Sequence, residues 1–328
     1  MSVRAAIVGT GSYLPEKVLT NYDLEKIVDT TDEWIRTRTG IRERRTAAPH
    51  ESTSDLAEPA CRQALEAAGL TPQDIDLLMV ATITPDTYCP SAACWLQNKL
   101  DARRAWAFDI NAACSGFIYG LSVAEQYIKT GAARNILFAS AEVMTRTLNW
   151  QDRASCVLWG DGAGVVVISA ANDGRGLLST HLHSDGRLGE MLQLPGGGSR
   201  TTPINTESVA KDLHSLRMMG PDSFKVAVRS FSSVCEEALN HNGLTVDDIV
   251  LLIPHQANIR ILEAVARRLG LPMEKVFITI HKYGNMSSAT IPVALDEAVR
   301  EKRIKRGDKI LLAAFGGGLT WGSAVINW

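Results

Sequence analysis

Cys114 stands in the stretch Asn111-Ala112-Ala113-Cys114-Ser115-Gly116, between an apolar run, Trp106 to Ile110, and a helical stripe of Phe117, Leu121, Ala124 and Ile128. A cysteine at such a strand-to-helix junction faces the unpaired N–H groups of the helix start. Their partial positive charge favours a thiolate and lowers a thiol pKa from about 8.5. The small residues on either side leave room for a reactant. His255 follows the buried-looking run Val250-Leu251-Leu252-Ile253-Pro254, beside Gln256, Ala257 and Asn258. Asn285 sits in Gly284-Asn285-Met286-Ser287-Ser288-Ala289, where it serves either a site or the cap of the helix that begins there. Cys, His and Asn converging from strand ends make a nucleophilic site. Two chemistries fit. A hydrolase would use His255 as base and Asn285 as its orienter. A carbon–carbon condensing enzyme would carry a thioester on Cys114, with His255 and Asn285 donating to an enolate oxygen. Gly316-Gly317-Gly318 is either a tight turn or a source of a backbone oxyanion donor.

These residues need elements to bring them together, and an internal repeat supplies the scheme. LEAAGL followed by TPQDIDLLMV recurs as LNHNGL followed by TVDDIVLLIP, with Leu70 and Leu244 at an offset of 244 − 70 = 174. The same offset pairs Cys61 with Cys235, Asn111 with Asn285 and Ile136 with Ile310. Two copies indicate a duplicated domain, since a solenoid needs at least three. In each copy a helical stripe ends at glycine (Gly69, Gly243). A buried strand follows (Ile75 to Ala81, Ile249 to Ile253), then a further helix (Phe117 to Ile128, Ile291 to Ala298). Each copy then closes with two more strands, Asn135 to Ala141 and Val165 to Ile168 against Lys309 to Phe315 and Ala324 to Ile326. Continuous apolar strands alternating with helices predict an α/β fold with sheets covered on both faces. Residues 1–170 and 220–328 read as the two halves, and 171–219 as a connecting segment folded over a pocket. Facing each other across a pseudo-two-fold, the halves would bring the Cys114 and Asn285 loops to one centre.

Composition narrows the partners. The chain has 328 residues, with 34 basic against 36 acidic and a net charge of −2, which argues against a general nucleic-acid binder. No apolar run approaches the roughly 20 residues of a membrane helix, and the N-terminus reads as a first strand in place of an export signal. Six scattered cysteines match no common zinc pattern, so no metal is expected and a reducing cytoplasm is the expected setting.

NAACSGF, IPHQANIRI, YGNMSSA and FGGGLTWGSA resemble the motifs of β-ketoacyl-acyl-carrier-protein synthase III, the condensing enzyme that starts type II fatty acid synthesis. The resemblance runs from AAIVGTGSYLP to the final INW. It implies the thiolase-like fold, two similar halves in a five-layered α/β/α/β/α arrangement, and a homodimer. It implies a ping-pong cycle with acyl-CoA and malonyl-acyl carrier protein as substrates and no resident cofactor. Cys114 matches the acyl-accepting nucleophile, His255 and Asn285 the decarboxylating pair, and the Cys114 and Gly317 N–H groups the oxyanion hole. Trp34 and Arg38, with Arg153 opposite, match the residues around the adenine of CoA; Gly220, Phe224 and Asn258 match the CoA channel. Lys225, Gln256, Arg260, Arg267 and Arg268 match a surface that docks the acidic carrier protein, although Arg267 and Arg268 also suit solvated helix charges. Arg36, Arg38, Arg42, Arg44 and Arg45 form a second basic stretch, either suited to CoA phosphates or a solvated loop. Cys89 matches a position that lines the partner subunit's acyl pocket and is often phenylalanine; acetyl is the default primer. Of the relatives on this fold, a thiolase would need a second reactive cysteine after Cys235. A hydroxymethylglutaryl-CoA synthase would need a glutamate within Ala81-Thr82-Ile83-Thr84. Chalcone-synthase-like enzymes are longer, with another C-terminal glycine motif. An enzyme of secondary metabolism with a different primer remains an alternative.

Overall fold

A computed structural model describes residues 3–201, 203–219 and 222–328. Two sheets carry the molecule. The first runs in the order Arg4–Tyr13, Asp161–Ala171, Asn135–Val143, Leu77–Ala81, Trp106–Ile110. Leu77–Ala81 is parallel to both of its neighbours, and the other pairs are antiparallel. The second sheet runs Ile249–Pro254, Lys309–Gly316, Thr320–Asn327, Gly176–Ser184, with its first pair parallel and the rest antiparallel. Thus Asn135–Val143 and Lys309–Gly316 are central strands at the repeat offset. Gly176–Ser184 occupies in the second sheet the edge that Arg4–Tyr13 occupies in the first, so part of 171–219 belongs to the second sheet.

Alternation along the strands explains the layering. Leu77, Met79 and Ala81 point into a central core, and Leu78 and Val80 into an outer one. Period-2 side-chain direction gives a fully apolar strand two buried faces. The central core is filled by the helices Gly116–Lys129 and Thr290–Arg300. The outer faces are covered by Thr53–Ala68 with Ala92–Leu100 on one side, and by Asp222–His241 with Ile259–Leu269 on the other. Helix, sheet, helix, sheet, helix make five layers, the expected thiolase-like arrangement. Local signals behave as expected: Ser52 and Asp55 form a capping box, and Gly69 ends the same helix in the left-handed region. Among the described residues, no helix is long and apolar enough to cross a membrane. No cluster of three or more His, Cys, Asp or Glu side chains among them could hold a metal ion.

Candidate active site

The two central helices begin alike. Each follows a one-turn 3₁₀ segment, Ala113–Ser115 and Ser287–Ala289. Ala113 and Ser287, related by the repeat offset of 174, both sit at positive φ, 46° and 49°. In each copy an asparagine two residues earlier accepts the N–H of that residue. Asn111 Oδ1 takes Ala113 N at 3.2 Å and Asn285 Oδ1 takes Ser287 N at 2.8 Å. The shared turn turns Cys114 toward the space between the halves. With its Oδ1 engaged, Asn285 keeps its amide N–H groups for that same space.

His255 extends the second sheet, its N–H bonding Ala313 O at 2.8 Å. Its Nδ1 is 2.7 Å from Thr290 Oγ1, which leaves Nε2 for the cavity. Burial of the ring pushes its pKa down to about 3, so the imidazole is neutral near pH 7. Cys114, His255 and Asn285 line one cavity of about 200 Å³, together with Phe224 and Asn258. Cys114 also lines a second cavity of about 570 Å³, with Ile83, Tyr88 and Leu216. Trp159 and Leu192 wall both. Neither stood out in the sequence, because an apolar side chain at a site looks there like any other core residue. Part of the segment 171–219 also faces these cavities, through Met191, Leu194, Gly196 and Met218.

The thiol does not behave as its place at a helix start suggests. Cys114 is 3 % exposed, and burial pushes its pKa up to about 12. The Ser287 hydroxyl and the N–H groups of Cys114 and Gly317 pull in the other direction without overcoming desolvation. Backbone N–H groups beside a reacting atom are what an oxyanion pocket draws on. Gly316 packs on the cysteine so closely that an added Cβ would stand 2.8 Å from Cys114 Cβ.

Farther out, the half-buried Trp34 carries the guanidinium carbons of the exposed Arg38 and Arg153 4.6 Å and 4.8 Å from its ring centroid, a cationic–aromatic stack. Arg260, Arg267 and Lys225 are exposed, and Arg268 lies 3.8 Å from Glu236. Gly220 lies outside the described residues. Cys89 is exposed and lines neither cavity of its own chain.

Two expectations fail. Gln256 is fully buried. Its Nε2 donates to Pro254 O and Phe277 O, and its Oε1 accepts from Thr279 N and Ile280 N. With all four partners internal, it holds the His255 loop and is closed to a docking protein. Arg44 is equally buried, bonding Leu19 O, Asn21 Oδ1 and Val157 O, and Arg45 bonds Pro15 O. The basic stretch therefore splits: Arg36, Arg38 and Arg42 face solvent, while Arg44 ties the chain together.

Known proteins carry the same layout. Residues 108–186 match the family model described as 3-oxoacyl-[acyl-carrier-protein (ACP)] synthase III, and residues 239–328 match its C-terminal model. The Beta-ketoacyl-[acyl-carrier-protein] synthase III of Caldanaerobacter subterraneus is 54% identical over 99% of this chain and 98% of its own. The chain belongs to the β-ketoacyl-[acyl-carrier-protein] synthase III family. The 3-oxoacyl-[acyl-carrier-protein] synthase III of Aquifex aeolicus VF5 superposes with a TM-score of 0.91 at 48% identity, covering 99% of this chain and 100% of that one. The priming β-ketosynthase of the R1128 polyketide pathway gives 0.91 at 34% identity, over 99% and 97% of the two chains. As a β-ketoacyl-[acyl-carrier-protein] synthase III, the chain is a condensing acyltransferase that initiates fatty acid synthesis.

Proposed function

We propose that Cys114, His255 and Asn285 together perform both half-reactions of this condensation. The observation that carries the reading is their convergence, from both halves of the duplicated chain, on one cavity. In the first half-reaction Cys114 attacks the carbonyl of acyl-CoA, and CoA departs. The Cys114 and Gly317 N–H groups stabilise the oxyanion. The adenine of CoA stacks at Trp34 between Arg38 and Arg153, and the pantetheine arm passes Phe224 and Asn258. No resident cofactor is needed, because the thioester is itself the substrate.

In the second half-reaction malonyl-acyl carrier protein enters the same channel and loses CO2. His255 and Asn285 donate to the enolate oxygen, and the carbanion attacks the Cys114 thioester to give a 3-oxoacyl product. A neutral imidazole suits that role, since it donates a hydrogen bond without placing a permanent charge in the cavity. Donation from Nε2 requires Nδ1 to accept from Thr290, at the 2.7 Å contact. Lys225, Arg260, Arg267 and Arg268 receive the acidic carrier protein. Acetyl is the starting primer, and Cys89 reaches the acyl pocket of a second subunit in a homodimer.

The two steps separate experimentally. In single turnovers with radiolabelled acetyl-CoA and malonyl-acyl carrier protein, Cys114→Ser abolishes acylation. His255→Ala keeps acylation and loses decarboxylation. Free acid without a 3-oxo product would refute the condensation at this site, and equal loss of both steps in His255→Ala would refute the division of roles.

A further inference from the structure

Each turn at the site is held by the opposite half of the chain, and the two are held differently. At the repeat offset Ser288 corresponds to Cys114, Glu142 to Gly316 and Ala81 to His255. Gly316 packs on Cys114 without bringing a side chain to it, and the thiol lines two cavities. Ser288 is fully buried, and the carboxyl of Glu142 stands against it where the other half has glycine.

Glu142, in the strand Asn135–Val143, is fully buried, and among the described residues no Lys, Arg or His side chain bonds it. Its Oε2 accepts from Thr82 Oγ1 at 3.0 Å, Ile83 N at 3.1 Å and Thr84 Oγ1 at 2.6 Å. Thr82 Oγ1 is in turn fixed by Thr84 N at 3.0 Å, and Thr84 Oγ1 by Val143 N at 2.9 Å. All these partners belong to the first half, so the carboxyl is anchored before it meets the second. Its Oε1 is 3.0 Å from Ser288 Oγ, and that hydroxyl is also 3.0 Å from Ala81 O. An ionised carboxyl accepts from Ser288. A protonated one donates to Ser288, whose own proton then goes to Ala81 O. The tie needs a polar group of this length at this place and no charge.

Ser288 closes the turn that aims Asn285. The Asn285 main chain is pinned to the first half, its N–H donating to Leu158 O at 2.9 Å and its carbonyl accepting from Gly160 N at 3.0 Å. Its Oδ1 accepts from Ser287 N at 2.8 Å. The direction of the amide therefore depends on where Ser287 stands, between the pinned Asn285 and Ser288. Ser287 is also the residue at φ 49°, a conformation that residues other than glycine seldom adopt. Such a conformation persists only where its surroundings over-determine it. The tie from Ser288 to Glu142 supplies a constraint on the far side of that residue.

We propose that Glu142 is a positioning residue for decarboxylation: through Ser288 it fixes the turn that points the Asn285 amide at the enolate oxygen. It touches no substrate and exchanges no proton with one. What the second sheet does to the Cys114 turn by contact at Gly316, the first sheet does to the Asn285 turn by a hydrogen bond at Glu142. The inference rests on Asn285 serving decarboxylation.

The test follows the two half-reactions in single turnovers: acylation by radiolabelled acetyl-CoA, then CO2 release from malonyl-acyl carrier protein by the acylated enzyme. An unfolded fraction lowers the acylation amplitude alone, so the rate of CO2 release per acylated site reports position and not stability. Ser288→Ala cuts the tie and leaves Glu142 anchored by its three donors in the first half. It should slow CO2 release by about tenfold, within the roughly 10²-fold cost of a 1 Å misplacement. Its acylation rate and its KM for malonyl-acyl carrier protein should stay at wild-type values. Glu142→Ala should slow the same step. In Glu142→Gln the amide oxygen takes the three donors and the NH2 group donates to Ser288, so CO2 release should return to the wild-type rate. Wild-type CO2 release in Ser288→Ala, equal slowing of both half-reactions, or a Glu142→Gln enzyme as slow as Glu142→Ala overturns the inference. If Asn285→Ala keeps CO2 release, the assignment on which it rests fails instead.

Discussion

Gly316→Ala tests how tightly the second sheet fixes the nucleophile. The added methyl would lie 2.8 Å from Cys114 Cβ, 2.8 Å from its N and 3.1 Å from its Cα. Ordinary contact begins at 3.4 Å, so strand end and cysteine turn must part by about 3.4 − 2.8 = 0.6 Å. Gly316 is not among the residues at positive φ, so the penalty comes from contact and not from backbone conformation. Overpacking of this kind costs about 1–3 kcal/mol of stability. A misplacement approaching 1 Å costs a reacting group up to about 10²-fold, so acylation by acetyl-CoA should slow by about ten- to a hundredfold. Burst amplitude and rate with radiolabelled acetyl-CoA, beside a urea unfolding curve, measure both effects. Gly186→Ala is the control: nothing lies within 4 Å of the added methyl, and both quantities should stay at wild-type values. If Gly316→Ala acylates at the wild-type rate with unchanged stability, close packing of this strand on the cysteine turn is not what places the thiol.

Arg44→Ala should destabilise the chain by about 3–5 kcal/mol in urea unfolding, because three internal acceptors lose a buried charged donor. Arg36→Ala, exposed and 3.7 Å from Asp32, should stay within about 0.5 kcal/mol. An equal effect of the two would refute the split of the basic stretch. His255 predicts an acid-sensitive component of stability. Its pKa falls from 6.5 in the open chain to about 3 when folded, so between those values the unfolded state alone binds the proton. Stability from this group is complete above pH 6.5 and falls as the pH drops toward 3, by about 2 kcal/mol between pH 6.5 and 5. Unfolding curves of His255→Gln should lack that part of the slope, and parallel pH profiles of the two chains would contradict it.

Much of this molecule is legible along the chain, where the signal is local or repeats. The apolar runs mark the strands, the capping box at Ser52 and Asp55 marks a helix start, and the 174-residue offset carries the symmetry. That offset even relates Ala113 to Ser287, whose matching positive φ angles shape the two turns at the site. Cys114, His255 and Asn285 stand out because each follows or precedes such an element. What the sequence by itself leaves open depends on burial, which a motif does not encode. Gln256 and Arg44 carry polar side chains that suit a surface, yet tertiary packing encloses them and satisfies them internally. Cys114 has the position that lowers a thiol pKa, and the assembled core reverses the direction by desolvation. Glu142 lies in a buried strand, and its carboxyl finds the Thr84 and Ser288 hydroxyls only because strands and turns far apart in sequence meet there. Periodicity and spacing thus determined the elements and the reactive residues. The folded packing decided which polar groups lose water, and with it which of them can do chemistry.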